Sequence, residues 1–120
     1  MKSMLISLIF AFSVSQVTLA EAPDEALLMM CNTCHALSEE EPPGIGPSLA
    51  NIGGKTVAYE TGYAYSRALG NLSFTWDRPT LAAWIYASEQ MAPGTAMRYH
   101  NSLTEDEVNR LTKLLIPDTQ

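Results

Sequence analysis

Apolar residues recur along this chain at three- and four-residue steps in separate blocks, and glycine, proline and runs of like charge interrupt the pattern between them. Asp24 to Cys34 reads as a helix, with Leu27, Met30, Cys31 and Cys34 along one side. Glu39-Glu40-Glu41-Pro42-Pro43 reads as a solvated turn, because three like charges and two prolines do not continue a helix. Gly44, Gly46, Pro47, Gly53 and Gly54 make the next stretch irregular. A short helix closed by Gly70 is expected within Tyr63 to Leu72. Asp77-Arg78-Pro79 is a helix start, since proline is tolerated in the first turn, and Leu81, Trp84, Ile85 and Ser88 then follow one face. Thr104-Glu105-Asp106-Glu107 spells a capping box, in which the Thr hydroxyl meets an orphan N–H and the Glu reaches back. Val108, Leu111 and Leu115 form the buried stripe of the last helix, and Pro117 stops it. The pattern predicts a small all-α domain with long glycine-rich loops, and loops of that length are tolerated when they wrap something.

The first twenty residues follow a different rule. Lys2 is a lone positive charge, Met4 to Val14 is apolar apart from Ser7 and Ser13, and Thr18-Leu19-Ala20 ends in a small residue. This reads as a secretory signal peptide over residues 1–20, cleaved after Ala20. The alternative, an uncleaved anchor, would need an apolar run nearer the ~20 residues of a spanning helix. Residues 21–120 then form one domain of about a hundred residues, a size at which a core is thin. With Lys2 set aside, six Lys and Arg face thirteen Asp and Glu, a net charge of −7. That balance excludes nucleic acid as a partner.

Cys31-Asn32-Thr33-Cys34-His35 supplies the chemistry. Two thiols at that spacing followed at once by an imidazole are the attachment signature of c-type haem. One helical turn lets both thiols reach the edge of a porphyrin while the histidine rises to its metal. A structural zinc site would need four protein ligands, and the chain has no third cysteine and only His100 besides His35. A thioredoxin-like dithiol would want a strand-helix-strand setting, and a disulfide across two residues would close too small a loop to stabilise much. One covalently bound haem c would also supply much of the missing core, and a group bound only by the native state adds to its stability.

A second axial ligand must come from elsewhere in the chain if the iron is to be closed. A thioether in that place raises the reduction potential, because soft sulfur favours the ferrous state. Met1 and Met4 belong to the leader, and Met29 and Met30 lie too close in sequence to the attachment site to reach the far side. Met91, at the end of the preceding helix, has a natural role as core filler. Met97 closes Pro93-Gly94-Thr95-Ala96-Met97, an extended loop suited to carrying a side chain to iron. His100 is the remaining rival.

Taken together these motifs resemble the class I cytochromes c, the group of mitochondrial cytochrome c and bacterial cytochrome c2. The match runs from about Asp24 to Leu115 through Cys31-x-x-Cys34-His35, Gly46-Pro47-Ser48-Leu49, Gly53-Gly54-Lys55-Thr56, Gly62-Tyr63-Ala64-Tyr65-Ser66, Phe74-Thr75-Trp76 and Pro93-Gly94-Thr95-Ala96-Met97. The resemblance implies the small cytochrome c fold, helices and long loops wrapped around one haem, and it implies His35 and Met97 as iron ligands. It also implies that the Pro47 carbonyl accepts the other ring N–H of His35. Tyr65 and Trp76 match positions that donate to a haem propionate, Thr95 adds a donor, and Leu49 and Ile85 match haem-packing positions. The departures are specific. Pro23 replaces a glycine that faces the last helix, and Leu27 replaces an aromatic. Lys55 replaces an arginine near the propionates, giving a point charge without a rigid fork. Trp84 stands where a tyrosine commonly approaches the Met sulfur, and the basic ring around the haem edge is absent.

By this resemblance the chain is an exported, periplasmic bacterial electron carrier rather than an enzyme. Its expected partners are redox proteins met transiently, with no stable membrane insertion after leader cleavage, and the chain itself is a monomer. The competing readings are a haem-bearing subunit of a larger dehydrogenase or oxidase complex, and a five-coordinate sensor or peroxidase-like protein in which Met97 does not bind iron.

Overall fold

The computed structural model describes residues 20–118. The proposed leader, Ala20 apart, lies outside the described residues. Four helices follow in order: α1 (Asp24–Asn32), α2 (Arg67–Gly70), α3 (Arg78–Met91) and α4 (Glu105–Leu115). Among the described residues none of the helices is long and apolar enough to cross a membrane.

α4 is the hub, packing against both α1 and α3. Its start is fixed by the expected capping box: the Thr104 hydroxyl accepts from Glu107 N–H, and the Glu107 carboxylate accepts from Thr104 N–H. Val108 and Leu111 on α4 and Leu27 on α1 are almost fully buried, and Leu115 is buried with them. The α1 contact also has a polar seam. Arg110 donates to Asp24, Glu21 and the Ala22 carbonyl, while Ala22 N–H donates to Glu107 at 3.0 Å. Pro23 does not face α4 as the resemblance implied. It precedes the first turn of α1, exposed, where its carbonyl accepts from Ala26 and Leu27, and Leu27 makes the helix contact instead.

α1 ends at Asn32, two residues short of the expected Cys34, with Thr33 as its cap. Cys34 and His35 continue as a turn whose N–H groups both donate to the Cys31 carbonyl. The short middle helix lies within 63–72 and ends at Gly70 as expected: the Ser66 hydroxyl caps it at Leu69 N–H, and Asn71 follows its last residue. α3 starts as expected, with the Asp77 carboxylate accepting from Thr80 N–H at 2.8 Å, and Leu81, Trp84, Ile85 and Ser88 are all buried. A kink at Ala87 (φ −154°, ψ 51°) interrupts its last turns. The loop 54–57 pairs briefly with 74–76, with Trp76 N–H donating to the Lys55 carbonyl at 2.8 Å. That pairing holds the Trp76 indole inward, at 5 % exposure.

Candidate cofactor site

α1, α3, α4 and the loops enclose a cavity of about 360 Å³, within the ~300–1,000 Å³ range of small-molecule sites. Cys31, Cys34, His35, Pro47, Tyr65, Trp76, Thr95 and Met97 all line it. Leu49, Ile52, Leu81 and Ile85 give it apolar walls. Met91 packs against the core instead of the cavity wall, and His100 is exposed away from it.

The turn after α1 presents the imidazole. His35 Nδ1 lies 2.6 Å from the Pro47 carbonyl oxygen. A carbonyl only accepts, so the ring proton belongs on Nδ1 and Nε2 keeps its lone pair for a ligand. Gly46 makes this approach possible: a Cβ there would stand 2.5 Å from His35 Cε1 and 2.7 Å from Nδ1. The Gly46 N–H is meanwhile tied to the Cys34 carbonyl at 2.7 Å.

Both cysteines are free and half-buried. Burial, with a smaller contribution from neighbouring Cys34, pushes the Cys31 thiol up to about 11. The thiol is therefore neutral at pH 7, unlike the depressed thiolate of a dithiol oxidoreductase. The four-ligand set of a structural zinc site is not gathered among the described residues.

Met97 is held at three points. Its N–H donates to Thr95 Oγ1 at 3.3 Å, its carbonyl accepts from the Ser88 hydroxyl at 3.2 Å, and its sulfur accepts from the Trp84 indole N–H at 3.0 Å. Gly94, at φ 89°, and the Thr95 N–H bond to the Ala92 carbonyl turn the loop so that Met97 enters the cavity wall.

Hydrogen-bond donors also line the cavity. The Tyr65 hydroxyl accepts from Glu60 N–H at 3.1 Å, which leaves its own proton to donate. Trp76 also borders the cavity, and its indole N–H can only donate. The Thr95 hydroxyl accepts from Met97 and keeps its proton likewise. Lys55 departs from the role implied by resemblance: its ammonium donates to the Ala50 carbonyl at 2.7 Å, lies 4.4 Å from the Tyr59 ring centroid, and is off the cavity wall.

Three tyrosines in the wall, Tyr59, Tyr63 and Tyr99, were not singled out from sequence. Tyr59 donates to the Ser48 carbonyl, and burial, then Tyr65 and Glu60, push its phenol up to about 12. Tyr63 donates to the Ile45 carbonyl at 3.1 Å and packs edge-on against Tyr65. The signal available was three phenols between positions 59 and 65 in an otherwise polar loop. The cavity thus joins two thiols, an oriented imidazole, a soft thioether, apolar walls and hydrogen-bond donors, a set that fits a covalently bound haem.

The family comparisons agree. No protein-family model matches the chain. A cytochrome c2 from Rhodomicrobium vannielii is 31% identical over 101 residues, covering 81% of this chain and 81% of that protein. A cytochrome c homolog from Rickettsia typhi is 37% identical over 73 residues, 61% of this chain, and the match spans only 42% of that protein's length. Among solved structures, cytochrome cH from Methylobacterium extorquens superposes with a TM-score of 0.68 at 29% identity, covering 77% of this chain and 92% of that one. The chain belongs to the class I cytochromes c, the family of cytochrome c2. Its fold is all-α and its cofactor is one covalent haem c.

Proposed function

We propose that this chain is an exported, monomeric carrier of single electrons, with haem c attached through Cys31 and Cys34 and ligated by His35 and Met97. The observation that carries the reading is one cavity lined by both thiols, the Pro47-bound imidazole and the Met97 thioether. When bound, the haem supplies a one-electron couple, ferric iron taking an electron from a reduced partner and ferrous iron returning it to an oxidised one.

The chain's residues do the rest. Cys31 and Cys34 would hold the haem, each by S–H addition across a vinyl double bond, which would need no leaving group. His35 offers Nε2 because Pro47 holds the Nδ1 proton, which fixes the ring's tautomer and orientation. The thioether of Met97 favours the reduced metal and closes the site to exogenous ligands. Tyr65, Trp76 and Thr95 donate to a carboxylate, and the apolar walls exclude water. Exposed Ile45 and Met30 border the cavity, where a redox partner would make the small, brief contact usual for such encounters. Export rests on residues 1–20, and periplasmic residence follows from it.

Intact mass of the purified protein should equal the chain from Glu21 plus one haem, with no titratable thiol. Finding two free thiols and bound zinc overturns attachment. In absorption spectra, Met97→Ala should abolish the low-spin thioether signature and admit carbon monoxide to the ferrous form, while Met91→Ala preserves the native spectrum. The reverse result reassigns the ligand.

A further inference from the structure

The Pro47 carbonyl that holds His35 and the Ser48 N–H belong to one peptide group, and both ends of it are engaged. The oxygen lies 2.6 Å from His35 Nδ1, and the N–H donates to the Glu60 carboxylate at 2.7 Å. The peptide is trans, so the two contacts leave it on opposite sides, and Glu60 reaches the imidazole through it. Glu60 is itself fixed. Its own N–H donates to the Tyr65 hydroxyl at 3.1 Å, and it stands between Tyr59 and Tyr63, which donate to the Ser48 and Ile45 carbonyls of the same loop. Glu39 and Glu41 line a smaller cavity together with Glu60, but their carboxylates are bonded elsewhere. Glu39 accepts from Asn51, and Glu41 accepts from Asn32 and the Leu37 N–H. Of the three, Glu60 alone bonds this peptide.

We infer that Glu60 is a positioning residue that sets the donor strength of His35 through the Pro47–Ser48 peptide. The inference rests on the reading of His35 as an iron ligand. An ionised carboxylate only accepts, and its hydrogen bonds are roughly twice as strong as neutral ones. Drawing the Ser48 proton toward a negative charge feeds electron density from the nitrogen into the carbonyl. The Pro47 oxygen becomes a stronger acceptor, because hydrogen bonds chained through one polar group polarise each other. A stronger acceptor pulls harder on the Nδ1 proton and leaves more density on Nε2 for a metal. Ferric iron depends on ligand donation more than ferrous iron does, so Glu60 stabilises the oxidised state and lowers the potential. Its pull is opposite in sign to that of the Met97 thioether, which favours the reduced metal.

The test is redox titration of the holoprotein and NMR of its ferrous form, comparing wild type with Glu60→Gln and with Glu39→Gln, a charge control from the same small cavity. The side-chain carbonyl left by Glu60→Gln still accepts from Ser48, so the loop is kept while the charge goes. Glu60→Gln should shift the ferric-to-ferrous ratio at fixed poise severalfold toward ferrous, a tenfold shift being about 59 mV for one electron. The His35 Nδ1–H resonance should move upfield with it as its hydrogen bond weakens. Glu39→Gln should leave that resonance in place and move the ratio far less. An unmoved His35 resonance in Glu60→Gln overturns the inference whatever the potential does, since the charge then acts through space or not at all. An unchanged potential overturns it as well. Should Glu60→Gln fail to load haem, hydrogen exchange at the wild-type Ser48 amide decides. Strong protection supports the bond to Glu60, and exchange at the rate of an open amide overturns it. A wild-type protein whose haem lacks a histidine ligand is a different outcome: it overturns the ligand assignment first, and this inference with it.

Discussion

Gly46 is where the backbone comes closest to the imidazole, and the reason is spatial rather than conformational. A methyl group added there would press on three ring atoms of His35 at 2.5 to 3.0 Å. The ring has nowhere to go while Nδ1 is bonded to Pro47, and the loop has little room to retreat while Gly46 N–H is bonded to Cys34. Overpacking of this kind typically costs ~1–3 kcal/mol. Gly46→Ala should therefore lower the haem-to-protein ratio of exported material and reduce the thermal midpoint of what is loaded. A variant loaded and as stable as wild type would show that the loop yields more easily than these distances imply. The role of His35 was legible in the sequence because the Cys-x-x-Cys-His spacing is local chemistry. The Trp84 contact was only half legible. Resemblance placed an aromatic near the sulfur, but the direction of its N–H is set by Trp76 and by a loop 13 residues away, which no spacing rule encodes.

At the level of elements, helix starts were more legible than helix ends. Asp77 and Thr104 announce α3 and α4 because a capping oxygen must sit at a fixed offset from the N–H it accepts. α1 lacks so plain a stop and falls two residues short of the expected length, since tertiary contacts decide where the last turn unwinds, whereas α2 ends at the expected Gly70. The two caps also carry a pH signature. Hydrogen bonds from Thr80 hold the Asp77 carboxyl below the usual carboxylate range, and those from Thr104 and Ala22 hold Glu107 below it. A group with a depressed folded-state value stabilises the fold above its unfolded value, near ~4. That stabilisation is lost as pH falls through the folded value. Denaturant midpoints should thus decline from about pH 5 downward. The double variant Asp77→Asn, Glu107→Gln keeps an acceptor at each cap while removing both titrations, so its midpoint should fall less steeply between pH 5 and 3 (about the range the linkage predicts). Parallel curves for the two proteins would mean that the caps contribute nothing to acid unfolding.

For the whole molecule, charge and site pull in different directions. The chain carries a net charge of −6, or −7 once Lys2 is set aside, yet among the described Asp, Glu, Lys and Arg side chains only Arg98 lines the cavity. The rim is otherwise apolar, with Ile45 exposed at 82 %. The acidity was legible from composition; its separation from the site was not, because it depends on where the loop after α3 delivers Arg98. Distance decides which charge a partner feels. At about 0.01 M salt the screening length is ~30 Å, so an approaching reagent meets the field of the entire anionic molecule. At about 0.1 M it is ~10 Å, and only Arg98 and its immediate surroundings remain in view. Electron exchange with a cationic cobalt complex should accordingly slow as salt rises through this range, and exchange with an anionic iron cyanide should quicken. Both slopes should flatten above about 0.1 M, where the uncharged rim takes over from the global field. Arg98→Gln should steepen the low-salt slopes slightly by removing the one opposing charge at the rim. A cationic reagent that reacts faster as salt increases would mean that local positive charge at the site outweighs the net negative charge of the molecule.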